Sequence, residues 1–415
     1  MTTPGSPAPA PAPKPLHGLR VLDLSRVLAG PFCTMNLGDL GAEVIKIEEP
    51  GQGDDTRAFG PPFAGGVSTY FLSINRNKKS LAVNLKDPRG VDVVRRLARI
   101  SDVVVENFRP GVAARLGIAF DQLRAENPRL IYCSISGFGH RGLPEHSRRP
   151  GYDVVVQGMS GLQHITGDPD GPPTRAGVPI ADILTGMTAF QAISVALFVR
   201  EREGRGQFLD IAMLDSTVQV LTFQAAAHLT AGTSPTRLGN RHPSIAPYET
   251  FRGADGYFNL AVGNDAQFRK LCELLEKPAL LADPRFSTNP LRVQHRPALA
   301  EVLEPIFGAI PVHQLLRRFA DAGIPAGPIS DLQEALSHPQ LLARGGIAQL
   351  QHPQAGPVRL VASPLPLEGV TPPPPPLPPP ALGEHTREIL SATLGLPDGE
   401  IDALAQAGAI ALGAA

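Results

Sequence analysis

The sequence predicts an α/β fold: a large Rossmann-like domain with a parallel sheet, plus a smaller α+β domain. Three observations lead there. Short β-rich runs alternate with helical ones from Leu19 to about Arg200, the pattern of a parallel sheet flanked by helices. Beyond that point the segments become loop-rich before helices return. At 415 residues the chain also exceeds what one hydrophobic core usually organises.

In chain order, "LRVLDLS" (19–25) and "EVIKIE" (43–48) read as strands with a helix over "GPFCTMNLGDLG" (30–41) between them. "SLAVNL" (80–85) is a third strand. Asp87 then caps a helix that has Pro88 at its first position and Val91, Val94 and Leu97 on one face. "DVVVENF" (102–108) and "LIYCSISGF" (130–138) continue the series, and a long apolar helix runs from Asp182 to about Arg200. "GRGQFLDIAMLDS" (204–216) reads as a strand feeding a helix, and "LGNRHPSIAPYETF" (238–251) as a Gly/Pro/Asn-rich connector. "GYFNLAVG" (256–263) is a strand, with helical runs over 265–276 and 297–308. The expected organisation is a disordered tail (1–15), a large domain (16–200), a linker (201–225), a small α+β domain (226–328) and a return to the large domain (329–415). That return contains a stiff proline-rich spacer (371–380) followed by two terminal helices.

A net charge of −1 argues against a nucleic-acid partner or a membrane-surface role. Cys33, Cys133 and Cys272 are odd in number, far apart and outside metal or redox spacing, so they read as buried thiols in a reducing compartment. The N-terminal stretch has neither the basic start nor the apolar centre of a secretory signal. The longest apolar pattern, Met187–Val199, is broken by Thr188, Gln191 and Ser194 and falls short of the ~20 residues that span a bilayer. The expectation is a cytoplasmic enzyme with no membrane and no metal.

Such a sheet binds ligands at the carboxyl ends of its strands. The G-x-G-x-x-G fingerprint, the Walker loop and the G-x-S-x-G elbow are all absent, which removes most nicotinamide, P-loop and serine-hydrolase chemistry. The strand ends offer "SRVLAGP" (25–31), "NRNKKS" (75–80) with Lys86, "ENFRPG" (106–111) with Arg115, and "SISGFG" (134–139). These cations and glycine turns can form a phosphate-holding rim; "NRNKK" can equally be a solvated turn. Asp182, in "RAGVPIADILTGM" (175–187), reads first as an N-cap or first-turn acid, worth about 0.5–2 kcal/mol. An acid at a helix start beside glycines is also placed to act as a nucleophile.

Five blocks then resemble the class III CoA-transferases, the family of formyl-CoA transferase and carnitine CoA-transferase. They are "LRVLDLSRVLAGPFCTMNLGDLGAEVIKIEEPGQGDDTR", "FLSINRNKKSLAVNLKDPRG", "VVVENFRPGVAARLG", "LIYCSISGFG" and "GVPIADILTGM". The likeness continues through "GNRHPSIAPYETF" to "LGEHT", and is greatest to the succinyl-CoA:glutarate (hydroxymethylglutarate) branch. The resemblance implies a nucleophilic Asp182 and an interlocked, ring-like homodimer. It implies an acyl-CoA and a free carboxylic acid as substrates, with no tightly bound cofactor. It also implies that CoA lies along Val27, Leu28 and Ala29, along Val83 and Lys86, along Asn107, Phe108 and Arg109, and along Arg115, Ser136, Gly137, Phe138 and Gly139. Leu28, Glu49 and "GNRHPSIAPY" depart from the formyl branch, where a glutamine, an arginine and a glycine-rich lid are expected.

A dicarboxylate needs a cation for its far end, and Arg26, Arg57, Arg175 and Arg241 are candidates, each equally readable as an ion-pair partner. Two other readings compete. A 2-methylacyl-CoA racemase of the same fold uses a histidine in a "GHD" segment, but here "GYD" (151–153) supplies a phenol, whose ordinary pKa near 10 suits that role poorly. A non-catalytic CoA-binding protein would use Asp182 only as a cap.

Overall fold

The computed structural model describes residues 14–365 and 376–413. The chain divides into two units, one of Met1–Gly161, Gly177–Thr222 and Gln340–Ala415, the other of Leu162–Ala176 and Phe223–Pro339.

The first unit is built on β1 (Arg20–Asp23), α1 (Ala29–Asp39), β2 (Glu43–Glu48), β3 (Lys78–Val83), α2 (Pro88–Arg99), β4 (Val103–Glu106) and α3 (Val112–Arg115). It continues with β5 (Ile131–Ser136), α4 (Asp153–Met159), α5 (Ile180–Glu203), β6 (Phe208–Ala212) and α6 (Met213–Gln219). The last pieces are the hairpin β7 (Ile347–His352) and β8 (Gly356–Val361), then α7 (Asp398–Gln406) and β9 (Ile410–Ala411). The sheet order is β9-β3-β2-β1-β4-β5-β6, all parallel except β9. Strands 3-2-1-4-5-6 are the doubly wound order, whose switch point lies between β1 and β4. One face of the sheet packs Val93, Val94 and Leu97 of α2 and Ile401 of α7. The other packs Cys33 and Leu37 of α1 with Ala189, Ile193 and Ala196 of α5.

Asp87 caps α2 as expected, its side chain accepting from Arg89 N. Several boundaries move. The third strand occupies 78–83 rather than 80–85, and the long helix starts at Ile180, so Asp182 sits inside its first turn rather than at its cap. Residues 201–225, expected as a linker, hold β6 and α6, because Phe208–Ala212 pair with β5 along their full length. The C-terminal return begins at Gln340 rather than 329, and its final strand β9, absent from the sequence reading, closes the sheet edge on β3. Of the proline-rich segment 371–380, residues 371–375 lie outside the described residues, as does 1–13 of the tail. Leu377 and Asn77 exchange two hydrogen bonds, which anchors the remainder.

The second unit has its own core. Tyr248–Arg252, Tyr257–Ala261 and Ala326–Pro328 form an antiparallel sheet with the Tyr257–Ala261 strand in the middle. Phe251, Phe258, Phe307 and Phe319 interlock beneath it with ring centroids 5.1–6.2 Å apart.

α5 has the length and composition to cross a membrane, so the shortness of its apolar run is no argument on that point. Its buried side chains cover the sheet, and the buried Arg200 pairs with Asp102 at 2.9 Å.

A row of buried charges crosses the sheet under α1. Asp23, Lys46 and Ser80 are strand neighbours on one rung. Lys46 Nζ lies 2.8 Å from Asp54 and donates to Ser25 O at 2.9 Å. Lys78 Nζ reaches Asp23 at 3.1 Å, Pro31 O and Asn75. Burial alone would raise the Asp23 and Asp54 carboxyls, but the two lysines override it, leaving Asp23 low and Asp54 at about 2; burial pulls Lys78 down to about 8. Replacing one partner strands the other's charge, so Lys46→Met is expected to cost about 3–5 kcal/mol. A urea titration of the variant checks this by the fall in its unfolding midpoint.

Candidate active site

The loop after β1 is held in an unusual shape. Val27 has φ 67°, a left-handed conformation that a β-branched residue seldom adopts. Val27 N donates to Asp54 Oδ1 at 3.3 Å, and Asn107, just past β4, clasps Arg26 by accepting from its N–H and donating to its carbonyl. The clasp sits across the switch point. It directs Val27, Leu28 and Ala29 toward a cleft of about 540 Å³ that is also lined by Asn107, Phe108, Arg109, Ser136, Gly137 and Asp182. Nine of the residues expected from sequence, these and Val27–Ala29, thus meet in one place.

Two close approaches build the far wall. A Cβ on Gly186 would lie 2.6 Å from Ala29 O, so glycine lets α5 lie against the start of α1 and brings Asp182, one turn earlier, to the loop. Gly137 and Gly151 stand back to back, and a Cβ on Gly151 would fall 2.2 Å from Gly137 Cα. That contact draws Arg149, Pro150 and Tyr152 into the cleft wall.

A second cavity of about 270 Å³ contains Val83 and Lys86 with Glu49 and Leu116, and shares Arg26 and Phe108 with the first. Lys86 reaches Glu49 at 2.8 Å. Arg115 lies exposed on α3, whose Val112 lines this second cavity but which does not bring Arg115 into either lining. Gly139 is buried in a turn held by Ser136 Oγ, and Phe138, outside the cleft lining, has the Arg149 guanidinium 5.8 Å from its ring. "NRNKKS" is neither a phosphate rim nor a solvated turn: Arg76 is buried against Asp39, and Lys78 belongs to the charge row.

Asp182 is the chemical centre of the cleft. Burial, and after it the neighbouring Asp153, raise its carboxyl to about 7. Asp153 is itself pinned, accepting from Ala181 N at 2.9 Å and from Gln157 at 2.7 Å. Tyr70 faces the same acids; burial and then Asp182 push its phenol up to about 12, which keeps it a proton donor. The sequence reading missed Tyr70, Asp153 as a neighbour, and Arg149; "RRPGYD" after the fifth strand carries the only local signal for the last two. Cys33 and Cys133 are buried and their thiols driven up by that burial, so neither supplies a thiolate. Among the described residues no cluster of His, Cys, Asp and Glu is arranged for a metal.

Of the four arginines proposed for a distal carboxylate, Arg57 is consumed by Glu48 (2.8 and 2.7 Å) and stacks 3.8 Å over Phe71, and Arg26 faces Glu49 at 3.7 Å. Arg175 and Arg241 belong to the second unit, where Arg241 pairs with Glu249 at 3.2 Å.

The raised Asp182 carboxyl couples stability to pH. Below 3.8 it is protonated in folded and unfolded chains alike. From there to about 7 only the unfolded chain releases the proton, so stability falls as pH rises across that window and stays down above it. Asp182→Asn is therefore expected to melt about 2–4 °C higher than the parent at pH 8 and no higher at pH 3.5, as read by thermal scans at the two pH values.

The family model described as CoA-transferase family III matches residues 16–386. The succinyl-CoA:glutarate CoA-transferase of Mus musculus is 47% identical over 397 residues, 96% of this chain and 90% of that protein. The succinate–glutarate CoA-transferase of Agrobacterium fabrum is 44% identical, covering 91% and 95% of the two chains. Among solved structures, a CAIB/BAIF family protein from Brucella suis superposes with a TM-score of 0.82 at 42% identity, over 92% of this chain and all of that one. A doubly wound sheet, a cleft at its switch point and these matches together establish that the chain belongs to CoA-transferase family III.

Proposed function

We propose that the protein transfers CoA from succinyl-CoA to a free dicarboxylic acid of the glutarate class, with Asp182 as the covalent nucleophile. The observation that carries this is the Asp182 carboxylate, held on the first turn of α5 in the 540 Å³ cleft, beside the loop and strand ends on which CoA is expected to lie. The relatives from Mus musculus and Agrobacterium fabrum supply the acid class by their names.

Exchange between two thioesters is nearly thermoneutral, so an acyl group held covalently can be passed on without ATP. The ionised Asp182 oxygen attacks the thioester carbonyl; the C–S bond breaks and CoA leaves as thiolate, giving a mixed anhydride. Thiolate attack on the donor's own carbonyl would only reverse that step. Attack on the Asp182 carbonyl instead expels the donor acid and places CoA on the aspartyl group. The acceptor carboxylate then attacks this thioester, releasing the thiolate and forming a second anhydride. Thiolate attack on the acceptor's carbonyl yields the new acyl-CoA and restores Asp182. α1 opens on the cleft at Leu28 with no side-chain cap and no acid in its first turn, so its first N–H groups can serve the oxyanions. Water must be kept out, since the anhydride hydrolyses readily.

The working unit in this proposal is a homodimer in the cytoplasm. Its support is the apolar surface of the first unit: Val195 and Phe198 on α5 are 62% and 60% exposed, with Val218 and Val220 also bare. Sedimentation should return twice the 43.9 kDa chain mass; a monomer at micromolar concentration refutes this part.

Asp182→Ala is expected to lower exchange between succinyl-CoA and glutarate by at least about 10³-fold. Parent enzyme treated with succinyl-CoA and hydroxylamine should acquire a hydroxamate at Asp182, read by peptide mass. Full exchange in the variant would remove Asp182 from the chemistry.

A further inference from the structure

We infer that Arg149 is the specificity determinant for the second carboxylate of the acyl group, a deepening that rests on the diacid reading above. Three arginines line the cleft with Asp182: Arg26, Arg109 and Arg149. Arg26 also lines the second cavity, where Glu49 faces it, so it lies toward the end where the two cavities join. Arg109 follows Phe108, which is shared by both cavities, in the strand-end run expected to carry CoA. Arg109 and Arg149 both line only the cleft, and of the two only Arg149 lies on the segment hydrogen-bonded to the start of α5.

Its position in the chain places it at the acyl end. Four residues later Asp153 holds Ala181 N, immediately before Asp182, and between them the Gly137–Gly151 contact fixes the path of the segment. The segment that carries Arg149 is thereby tied to the start of α5, where Asp182 lies. Its guanidinium rests 5.8 Å from the Phe138 ring and takes part in no ion pair among the described residues. Of the two acids at the start of α5, Asp153 accepts from Ala181 N and Gln157, and Asp182 becomes neutral on acylation. Once the acyl group is on Asp182, the far carboxylate of a bound diacid is an anion within the cleft that Arg149 lines, and the planar fork of a guanidinium can bind a carboxylate with two parallel hydrogen bonds. A monocarboxylic acid offers nothing to that fork and leaves it solvated.

The test compares glutarate with its monomethyl ester, which removes the distal charge, as acceptors in the full-length enzyme with succinyl-CoA as donor. In the parent, kcat/KM should favour glutarate by about 10- to 100-fold. Arg149→Met should abolish most of that preference, Arg149→Lys should restore part of it, and binding of free CoA, measured by calorimetry, should remain unchanged. Arg109→Met serves as the contrast, weakening CoA binding with the glutarate preference intact. An unchanged preference in Arg149→Met, or a loss of CoA affinity equal to the loss of catalysis, overturns the assignment of Arg149 alone. A parent enzyme that turns over no diacid overturns the diacid reading and this inference with it.

Discussion

Two lysines and two aspartates buried between α1 and the sheet hold the rest of the molecule in register. Lys46 joins Asp54 to the carbonyl of Ser25, and Lys78 joins Asp23 to the carbonyl of Pro31. Ser25 and Thr34 donate to the same Asp23 carboxylate. Each buried charge is matched, and each lysine also takes a backbone carbonyl from the loop or helix that follows β1. The left-handed turn at Val27 is thereby held from both sides, by this cluster below and by Asn107 beside it. Apolar residues of equal volume would fill the space but would leave those carbonyls unsatisfied and the loop unspecified.

Chemistry is then arranged by absence of side chain as much as by presence. Gly186 lets α5 approach Ala29, and the Gly137–Gly151 contact lets the 149–153 segment close over the end of β5. Both approaches bring Asp153 and Asp182 together at the cleft, with Asp182 partly withdrawn from solvent. The resulting rise of Asp182 to about 7 has two sides. A carboxylate of higher basicity is a better nucleophile toward a thioester, and a folded state that must hold it ionised is correspondingly less stable.

Much of this was legible in the sequence. Alternating runs announced the doubly wound sheet, and Asp87-Pro88 announced its helix start, because those signals are local. The runs 25–31 and 106–111 stand out because strand ends of a parallel sheet gather at one edge, whereas Asp182, at a helix start, reads locally as a cap or first-turn acid and takes its expected role from the family resemblance. The charges of "NRNKKS", Lys78 among them, misled, since a local run of cations reads as a rim or a solvated turn, and nothing local in "EVIKIE" shows that Lys46 and Glu48 are buried. Their burial depends on partners 8 to 55 positions away that no local pattern reveals. The strand and helix read over 204–216 are present as β6 and α6, although the expected domain division sets them in a linker, and Arg149 escapes a local reading because its place in the cleft wall depends on a glycine contact.

The sheet edge carries a consequence for how the chain acquires its shape. β9 pairs with β3, and Gly383 N and Thr386 Oγ1 bond to Ser80 and Ala82 across 303 and 304 residues. During synthesis the first six strands emerge long before the segment that seals β3, which until then exposes an unpaired apolar edge. The second unit, almost continuous from Phe223 to Pro339, has all but fifteen of its residues in one run and is complete before that seal arrives. All residues of the inserted unit are thus synthesised before the segment that seals β3, and that sheet edge stays open until residues 383–411 follow.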